Sequence, residues 1–410
     1  MVIQGTATAP ATAGLGVFAD NRKLPIHRWF PFIEGYSAEL VRYALTEAVD
    51  TSRVFDPFGG SGTTALTAAL IGVDSEFTEA NPYMAWVSEV KVNAARQAIE
   101  LGSDLTVLER IAEDPVHFAA SSEQLDHPLL TIDRHRKFFP PGVAQIIVDL
   151  LGAIDRRLDG PVRELARLAV AVSITPASDM IRRTDLRRRR PGDTPPVKIT
   201  QAVSRNLRMV VDDVRTSGPL LVGKAVQLAD DARAAYAPDR PFTTIITSPP
   251  YLNGTNYGRN TKLELFALGF LDSERELEQL RLSEITAGIN NVSTRIAAPT
   301  RFDEVEAVAD RVAAVTYDQR IPTMIRAYFS DMEIVFARLA TLSANHAEFW
   351  LDIGDSRYAG VSVPTHGLLA TVAEQAGWRQ VGELPLRTRR SYDGTVLSQS
   401  LLKFEKDGAR

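Results

Sequence analysis

The chain has 410 residues, 45% of them apolar and 24% charged, which is the composition of an ordinary globular protein with room for one large domain and an insertion. It has no cysteine, which excludes disulfides, a thiolate nucleophile, cysteine-ligated metal sites and base methylation through a cysteine adduct. The formal net charge of −5 means that any nucleic-acid surface must be local, and the longest apolar runs are too short to span a membrane.

The start, MVIQGTATAPATAGLG, has neither a basic n-region nor a long apolar stretch, so it does not read as a secretory signal. Residues 1–22 read as a flexible tail, and the expected location is cytoplasmic. The segment from Leu24 to Ser37 is dense in aromatics and prolines and reads as an ordered loop. Ser37 can cap a helix that begins with Glu39, Leu40 and Val41.

Residues 53–95 read as strand, glycine turn, helix, strand, helix. The turn is Asp56-Pro57-Phe58-Gly59-Gly60-Ser61-Gly62-Thr63-Thr64, with three glycines in four positions. Glycines that close together cost backbone entropy, and a tight turn presenting backbone N–H groups to a ligand explains them. The spacing is not GxGxxG, and the Lys-Ser/Thr of a phosphate-binding loop is absent, so a nucleotide-like ligand without a diphosphate fits better. The second strand, Ser75 to Thr78, runs into Glu79 about twenty residues past the glycines, where a carboxylate can accept from both ribose hydroxyls. Asn81-Pro82 opens the next helix.

Residues 97–221 read as a helical insertion too long to be a loop. It holds the densest charge run in the chain: Arg182, Arg183, Arg187, Arg188, Arg189 and Arg190, six arginines in nine residues. This run reads either as a phosphate-binding surface or as a solvated loop. The α/β pattern is expected to resume with a strand at Leu220-Leu221-Val222 and Asp230-Asp231. A buried strand, Phe242 to Thr247, then runs straight into Ser248-Pro249-Pro250-Tyr251, where two prolines stop it and stiffen the turn. Residues 262–345 read as mainly helical. Strands at 347–353, 378–384 and 398–404 follow, with a helix from Gly367 to Ala376 between the first two. The last two strands, around Tyr392-Asp393-Gly394, read as an antiparallel hairpin at a sheet edge.

Two of these stretches together resemble the amino-group DNA methyltransferases, which methylate cytosine N4 or adenine N6. Asp56 to Thr64 is similar to that family's cofactor motif DPFxGSGTT, and Ser248-Pro249-Pro250-Tyr251 to its catalytic motif (D/N/S)PP(Y/F). Glu79-Ala80-Asn81-Pro82, Asp231, and the segment Tyr257, Leu263 to Phe266 and Gly269 resemble its lesser motifs. The resemblance covers about 20–95 and 222–404; the insertion and 280–325 match no motif. It implies an α/β, Rossmann-like class I methyltransferase with a mostly parallel sheet, a C-terminal antiparallel hairpin and a large helical insertion. The catalytic domain would be 23–96 with 222–406, and the insertion 97–221 a candidate DNA-binding region alongside 270–325.

The resemblance further implies S-adenosylmethionine as cofactor, no metal, and double-stranded DNA as partner, with a restriction or defence partner as a further expectation. Asp56 would take the methionine amino group, directly or through water. Phe58 would wall the sulfonium and adenosine, Gly59, Gly60, Gly62 and Thr63 would shape the turn, Glu79 would take the ribose and Asp231 the adenine. Ser248, Pro249, Pro250 and Tyr251 would hold a base rotated out of the duplex, with Tyr251 stacking on it. Serine before the proline pair favours cytosine N4. Adenine N6, an RNA base substrate and a non-catalytic DNA-binding subunit stay open as alternatives.

Overall fold

The structure is a computed structural model and describes residues 14–32, 35–120, 126–183, 185–252, 257–292, 300–390, 394 and 396–406. Seven strands form one sheet: β1 (Val54–Asp56), β2 (Ser75–Thr78), β3 (Ala225–Ala229), β4 (Phe242–Thr247), β5 (Ser343–Gly354), β6 (Trp378–Arg390) and β7 (Val396–Lys406). Their spatial order is β3-β2-β1-β4-β5-β7-β6. The five strands from β3 to β5 are parallel, and β7 runs antiparallel to both of its neighbours. A parallel sheet with one reversed strand inserted near its edge is a Rossmann-like class I methyltransferase sheet. The chain leaves β1 toward β3 and returns to β4 on the other side, so the order reverses between β1 and β4. In such sheets the ligand crevice opens at the carboxyl ends of the strands flanking that switch.

Local chemistry explains the central elements. All six residues of β4 are buried, and five of the six are Thr or Ile, as expected for a strand covered on both faces. Phe55 of β1 stacks on Phe242 with ring centroids 4.2 Å apart. Helix Thr63–Leu70 is small and apolar nearly all round and is buried along all but its last residue. Asn81 caps helix Pro82–Glu89 by accepting from the Tyr83 N–H, with Pro82 at the first turn.

Several boundaries depart from the sequence reading. No strand forms at 220–222: Leu220 and Val222 are exposed, and β3 begins at Ala225. The approach of Gly223 explains the offset. A β-carbon there would lie 2.2 Å from the Val73 carbonyl oxygen, so the backbone is pinned under the loop before β2 and enters the sheet only afterwards. The expected tail is structured from residue 14: Leu15 and Phe18 are buried, and Asn21 donates to the Tyr36 carbonyl at 3.1 Å. Strand β6 continues to Arg390, well past Leu384. The hairpin pairing of β6 and β7 is present, but Tyr392 and Asp393 of its expected turn lie outside the described residues.

The insertion is helical but not a separate lobe. Leu165, Ile174, Val203 and Val214 share one buried core with Leu66, Phe77 and Val87 of the sheet domain and with Leu263 and Phe266 after the catalytic turn. One carboxylate fastens it to the aromatic segment. Buried Asp213 Oδ2 accepts from the Ile26 N–H at 2.9 Å, Arg28 Nε at 3.0 Å and Trp29 Nε1 at 2.9 Å. Ile26 is held at φ 63°, a left-handed conformation that strains a β-branched residue, and its side chain is fully buried. Asp213→Ala removes the acceptor of three donors, two of them buried, and should lower the unfolding free energy by about 3 kcal/mol in chemical denaturation. An unchanged midpoint would mean the segment is held by packing alone.

Candidate active site

The turn between β1 and helix Thr63–Leu70 is tied on every side. The Gly59 N–H donates to the Thr78 carbonyl at 2.9 Å, and the Gly62 N–H to Gly59 O at 2.8 Å. The Pro57, Gly60 and Ser61 carbonyls are taken by Thr78 Oγ1 at 2.6 Å, Ser88 Oγ at 2.9 Å and Lys91 Nζ at 2.9 Å. Burial pushes the Lys91 amine down to about 7. The glycines are required by close approach. A β-carbon on Gly59 would stand 2.7 Å from the Phe77 ring, and Gly62 sits at φ 77° with Ser88 against it.

Beside this turn lies a cavity over the carboxyl ends of β1, β2, β3 and β4. Its walls are Phe30, Phe32, Pro57, Phe58 and Met84. Its polar edge carries Gly60, Glu79, Asp231 and, across from them, Ser248, Pro249 and Pro250. The two motifs therefore open on one cavity although almost two hundred residues separate them. Glu79 accepts from the Gly60 N–H at 2.8 Å and the Asn81 N–H at 2.9 Å. Burial nevertheless outweighs those bonds and pushes its carboxyl up to about 7.

Other expected residues sit differently. Asp56 is fully enclosed beneath the turn and does not line the cavity. Its oxygens accept from Thr247 Oγ1 at 2.6 Å, the Tyr36 hydroxyl at 2.9 Å and the Phe58 N–H at 3.0 Å. It binds strand end to strand end where the resemblance would have it bind a ligand. Thr63 and Gly62 are likewise buried behind the turn. Asp231 does line the cavity, but its carboxylate is held by Arg233 through Nε at 2.9 Å and Nη2 at 2.9 Å, and Arg233 also reaches Asp331 at 2.9 Å. Tyr251 is turned away from the cavity. Its hydroxyl donates to Asp352 at 3.1 Å and accepts from Gln399 Nε2 at 2.9 Å. Gln399 also holds Asp352 at 2.7 Å and the Gly16 carbonyl at 3.0 Å.

The arginine run is an antiparallel ribbon, Met180–Arg182 against Leu186–Arg188, not a loop. Most of its charge is spent inside the molecule. Arg182 donates to buried Glu264 at 2.9 Å and to the Asn260 carbonyl at 2.9 Å, and stacks 5.1 Å over the Phe30 ring. Arg187 pairs with Asp193 at 2.7 Å. Arg188 and Arg189 donate to carbonyls, among them Lys137 and Ser178. Arg183 and Arg190 are exposed, their side chains make no hydrogen bond or ion pair among the described residues, and Arg183 stands in the cavity wall.

Sequence reasoning missed two groups. Glu284 and Asn260 also line the cavity, and Asn81 Nδ2 reaches Thr261 Oγ1 at 2.7 Å, joining the end of β2 to the segment after the proline turn. No local pattern marks these contacts, because each joins segments distant in the sequence.

The chain is 24% identical over 452 residues to the Type II methyltransferase M.BsoBI of Geobacillus stearothermophilus, covering 94% of this chain and 86% of that one. It is 22% identical over 403 residues to the Type II methyltransferase M.AvaI of Nostoc sp. strain PCC 7120, covering 88% and 80%. The chain is a methyltransferase. No family model matches it. A solved rRNA methyltransferase, aviRa from Streptomyces viridochromogenes, aligns over 98% of this chain at a TM-score of 0.26 and 10% identity, too loose an overlay to argue from.

The methyl donor is S-adenosylmethionine, and the residues present fit it. An acid at the end of β2 suits the ribose, and Phe58 and Phe32 offer apolar walls. When bound, this cofactor supplies an electrophilic methyl group. No helix among the described residues is long and apolar enough to cross a membrane.

Gly62→Ala should weaken S-adenosylmethionine binding at least about tenfold in calorimetry, since the left-handed backbone alone costs roughly 1–2 kcal/mol and a β-carbon meets Ser88. Gly102→Ala is the control. Its φ is also positive, but nothing lies within 4 Å of the added carbon, so cofactor binding should be unchanged.

Proposed function

We propose that this methyltransferase acts on an exocyclic amino group of double-stranded DNA at a specific sequence, with cytosine N4 the favoured target. The observation that carries the proposal is that Ser248, Pro249 and Pro250 share one cavity with Gly60 and Glu79. That arrangement supports a base held against a cofactor. The class of the relatives, Type II methyltransferase, supports DNA modification paired with restriction, so a cognate nuclease is a proposed partner.

The chemistry follows from this chain's own groups. An exocyclic amine is a weak nucleophile because its lone pair is delocalised into the ring. Carbonyls of the Ser248-Pro249-Pro250 turn can accept the amino hydrogens and localise that pair. Proline suits this position because it fixes φ and offers no competing N–H. Ser248 is half-buried in the cavity wall and its side chain is hydrogen-bonded to Asp352 and Tyr251; a hydroxyl so oriented keeps a lone pair that can accept from the base edge. Tyr251 is proposed to position this turn through its hydroxyl, held by Asp352 of β5 and Gln399 of β7, and to present its ring to the base once DNA is bound. The amine becomes acidic on methylation, so no strong general base is required, and most of the rate comes from positioning and electrostatics.

The deciding experiment is incubation with labelled S-adenosylmethionine and genomic DNA, followed by nucleoside mass spectrometry. N4-methylcytosine is the expected product. N6-methyladenine would correct the base, and label found only in added RNA would overturn the DNA assignment. In the same assay Ser248→Ala and Tyr251→Ala should each lower the rate at least about a hundredfold with cofactor affinity retained, while Tyr251→Phe should be milder.

For DNA contacts we propose Arg183 and Arg190. A second cleft, lined by Arg136, Arg259, Lys262, Arg281 and Arg320, also carries Glu274 and Glu278, and its four arginines are paired with Glu274, Asp185, Glu278 and Asp318, so it stays outside the proposal. The paired members Arg182, Arg187, Arg188 and Arg189 are proposed to shape the ribbon that carries Arg183. Arg183→Ala with Arg190→Ala should reduce the slope of log affinity against log salt by roughly 1–2, about 0.9 for each phosphate no longer neutralised. An unaltered slope would make both arginines bystanders.

A further inference from the structure

The stretch 280–325 matches no motif, yet it places an acid in the cofactor cavity. Glu284 follows helix Glu274–Ser283 directly, lines the cavity and is only 9% exposed. Its Oε2 accepts from Asn291 at 3.4 Å and the Gly258 backbone also supports the carboxyl, while Oε1 is buried and makes no well-aligned hydrogen bond among the described residues. A buried carboxyl in a cavity wall with lone pairs to spare has capacity for a ligand. Glu79 lines the same cavity, and the two carboxyls repel one another.

The other charged groups around this pair are accounted for. Arg281 acts on Glu284 from the preceding helix, and Asp56 acts on Glu79 from β1. In the cavity wall Asp231 is matched by Arg233 and Arg182 by Glu264, and Arg183 is exposed to solvent. The charged groups of the cavity wall without an opposite-charge partner among the described residues are therefore the two glutamates and the exposed Arg183.

We propose that Glu284, coupled across the cavity to the ribose-side Glu79, recognises the positive charge of the sulfonium cofactor and so binds it in preference to its neutral thioether product. This deepens the reading of the cavity as the cofactor site and rests on it. The sulfonium carries a full positive charge that disappears from sulfur when the methyl group leaves. A carboxylate facing a poorly solvated cavity feels that difference strongly. Burial pushes Glu79 up to about 7 and Glu284, further raised by Glu79, up to about 8. Near neutrality the pair therefore retains protons, and a cation in the cavity favours the ionised forms and expels them. Affinity for the cation should rise with pH and level off above about 8, whereas affinity for the thioether should not rise. The product loses the attraction that held the substrate, which clears the site for the next turnover.

The test is calorimetric titration of the full chain with S-adenosylmethionine, S-adenosylhomocysteine and sinefungin, whose amine carries a positive charge near the sulfonium position. In the wild type, the preference for the two cations over the thioether should grow by about tenfold between roughly pH 6 and 8.5, with proton release seen in buffers of different ionisation enthalpy. Glu284→Gln keeps the shape and removes the charge, and it should shrink the cation preference about tenfold while leaving thioether affinity unchanged. An equal loss for all three ligands would make Glu284 a wall residue and overturn the proposal, as would an unchanged preference. The proton-release measurement uses wild type alone, so it decides the matter even if the variant does not fold: no release overturns the proposal. A wild type that binds none of the three ligands would instead overturn the cofactor site itself.

Discussion

The Asp56 carboxylate is the constraint from which the site follows. It lies at the carboxyl end of β1, fully buried, and burial raises its pKa against the opposing pull of its donors. Thr247 at the end of β4, Tyr36 from the segment before the sheet and the Phe58 N–H all point their hydrogens at it. A charge-accepting group so enclosed is tolerable only when its lone pairs are used. Using them fixes the two strand ends at the topological switch. Residue 57 leaves that point into the glycine turn and residue 248 leaves it into the proline turn, so one carboxylate registers both halves of the site.

This explains which parts of the site the sequence displayed. The glycines, the acid after β2 and the serine–proline turn are local: each follows its strand end within a few residues, and steric demand or proline chemistry restricts the residue types allowed. The parallel core was legible for the same reason, since Phe242 to Thr247 is a β-branched run suited to a doubly covered strand. The role of Asp56 was not legible. An acid at a strand end looks the same whether it faces a ligand or a threonine 191 residues away. Glu284 was invisible for a related reason. Its helix has no buried residue, and nothing in its periodicity says that the next residue turns into a cavity.

Charge density misleads in a similar way. Six arginines in nine residues read as an electrostatic surface, yet four guanidinium groups are engaged by Glu264, Asp193 and backbone carbonyls. An arginine can donate five hydrogen bonds from a planar fork, so a short ribbon with few backbone partners of its own can use arginines as cross-braces. How many arginines stay unpaired is set by geometry, not by the count, and among the described residues of the run the geometry leaves Arg183 and Arg190.

The same cross-bracing gives the insertion its place in the mechanism. Catalysis by positioning requires that the cofactor side and the base side not drift, because no strong acid or base compensates for a misplaced methyl acceptor. Three contacts oppose that drift: Thr247 with Asp56, Thr261 with Asn81, and Arg182 with Glu264. The first two lie within the sheet domain, and the third comes from the insertion. Its apolar helices share their core with the helices after both motifs, and Asp213 anchors the aromatic segment whose Phe30 forms part of the cavity wall. An appended recognition module could be removed without disturbing the cavity. This insertion could not, since its loss would release Arg182, Asp213 and the Phe30 wall together. Its outer face therefore belongs to the same packed frame that walls the cavity.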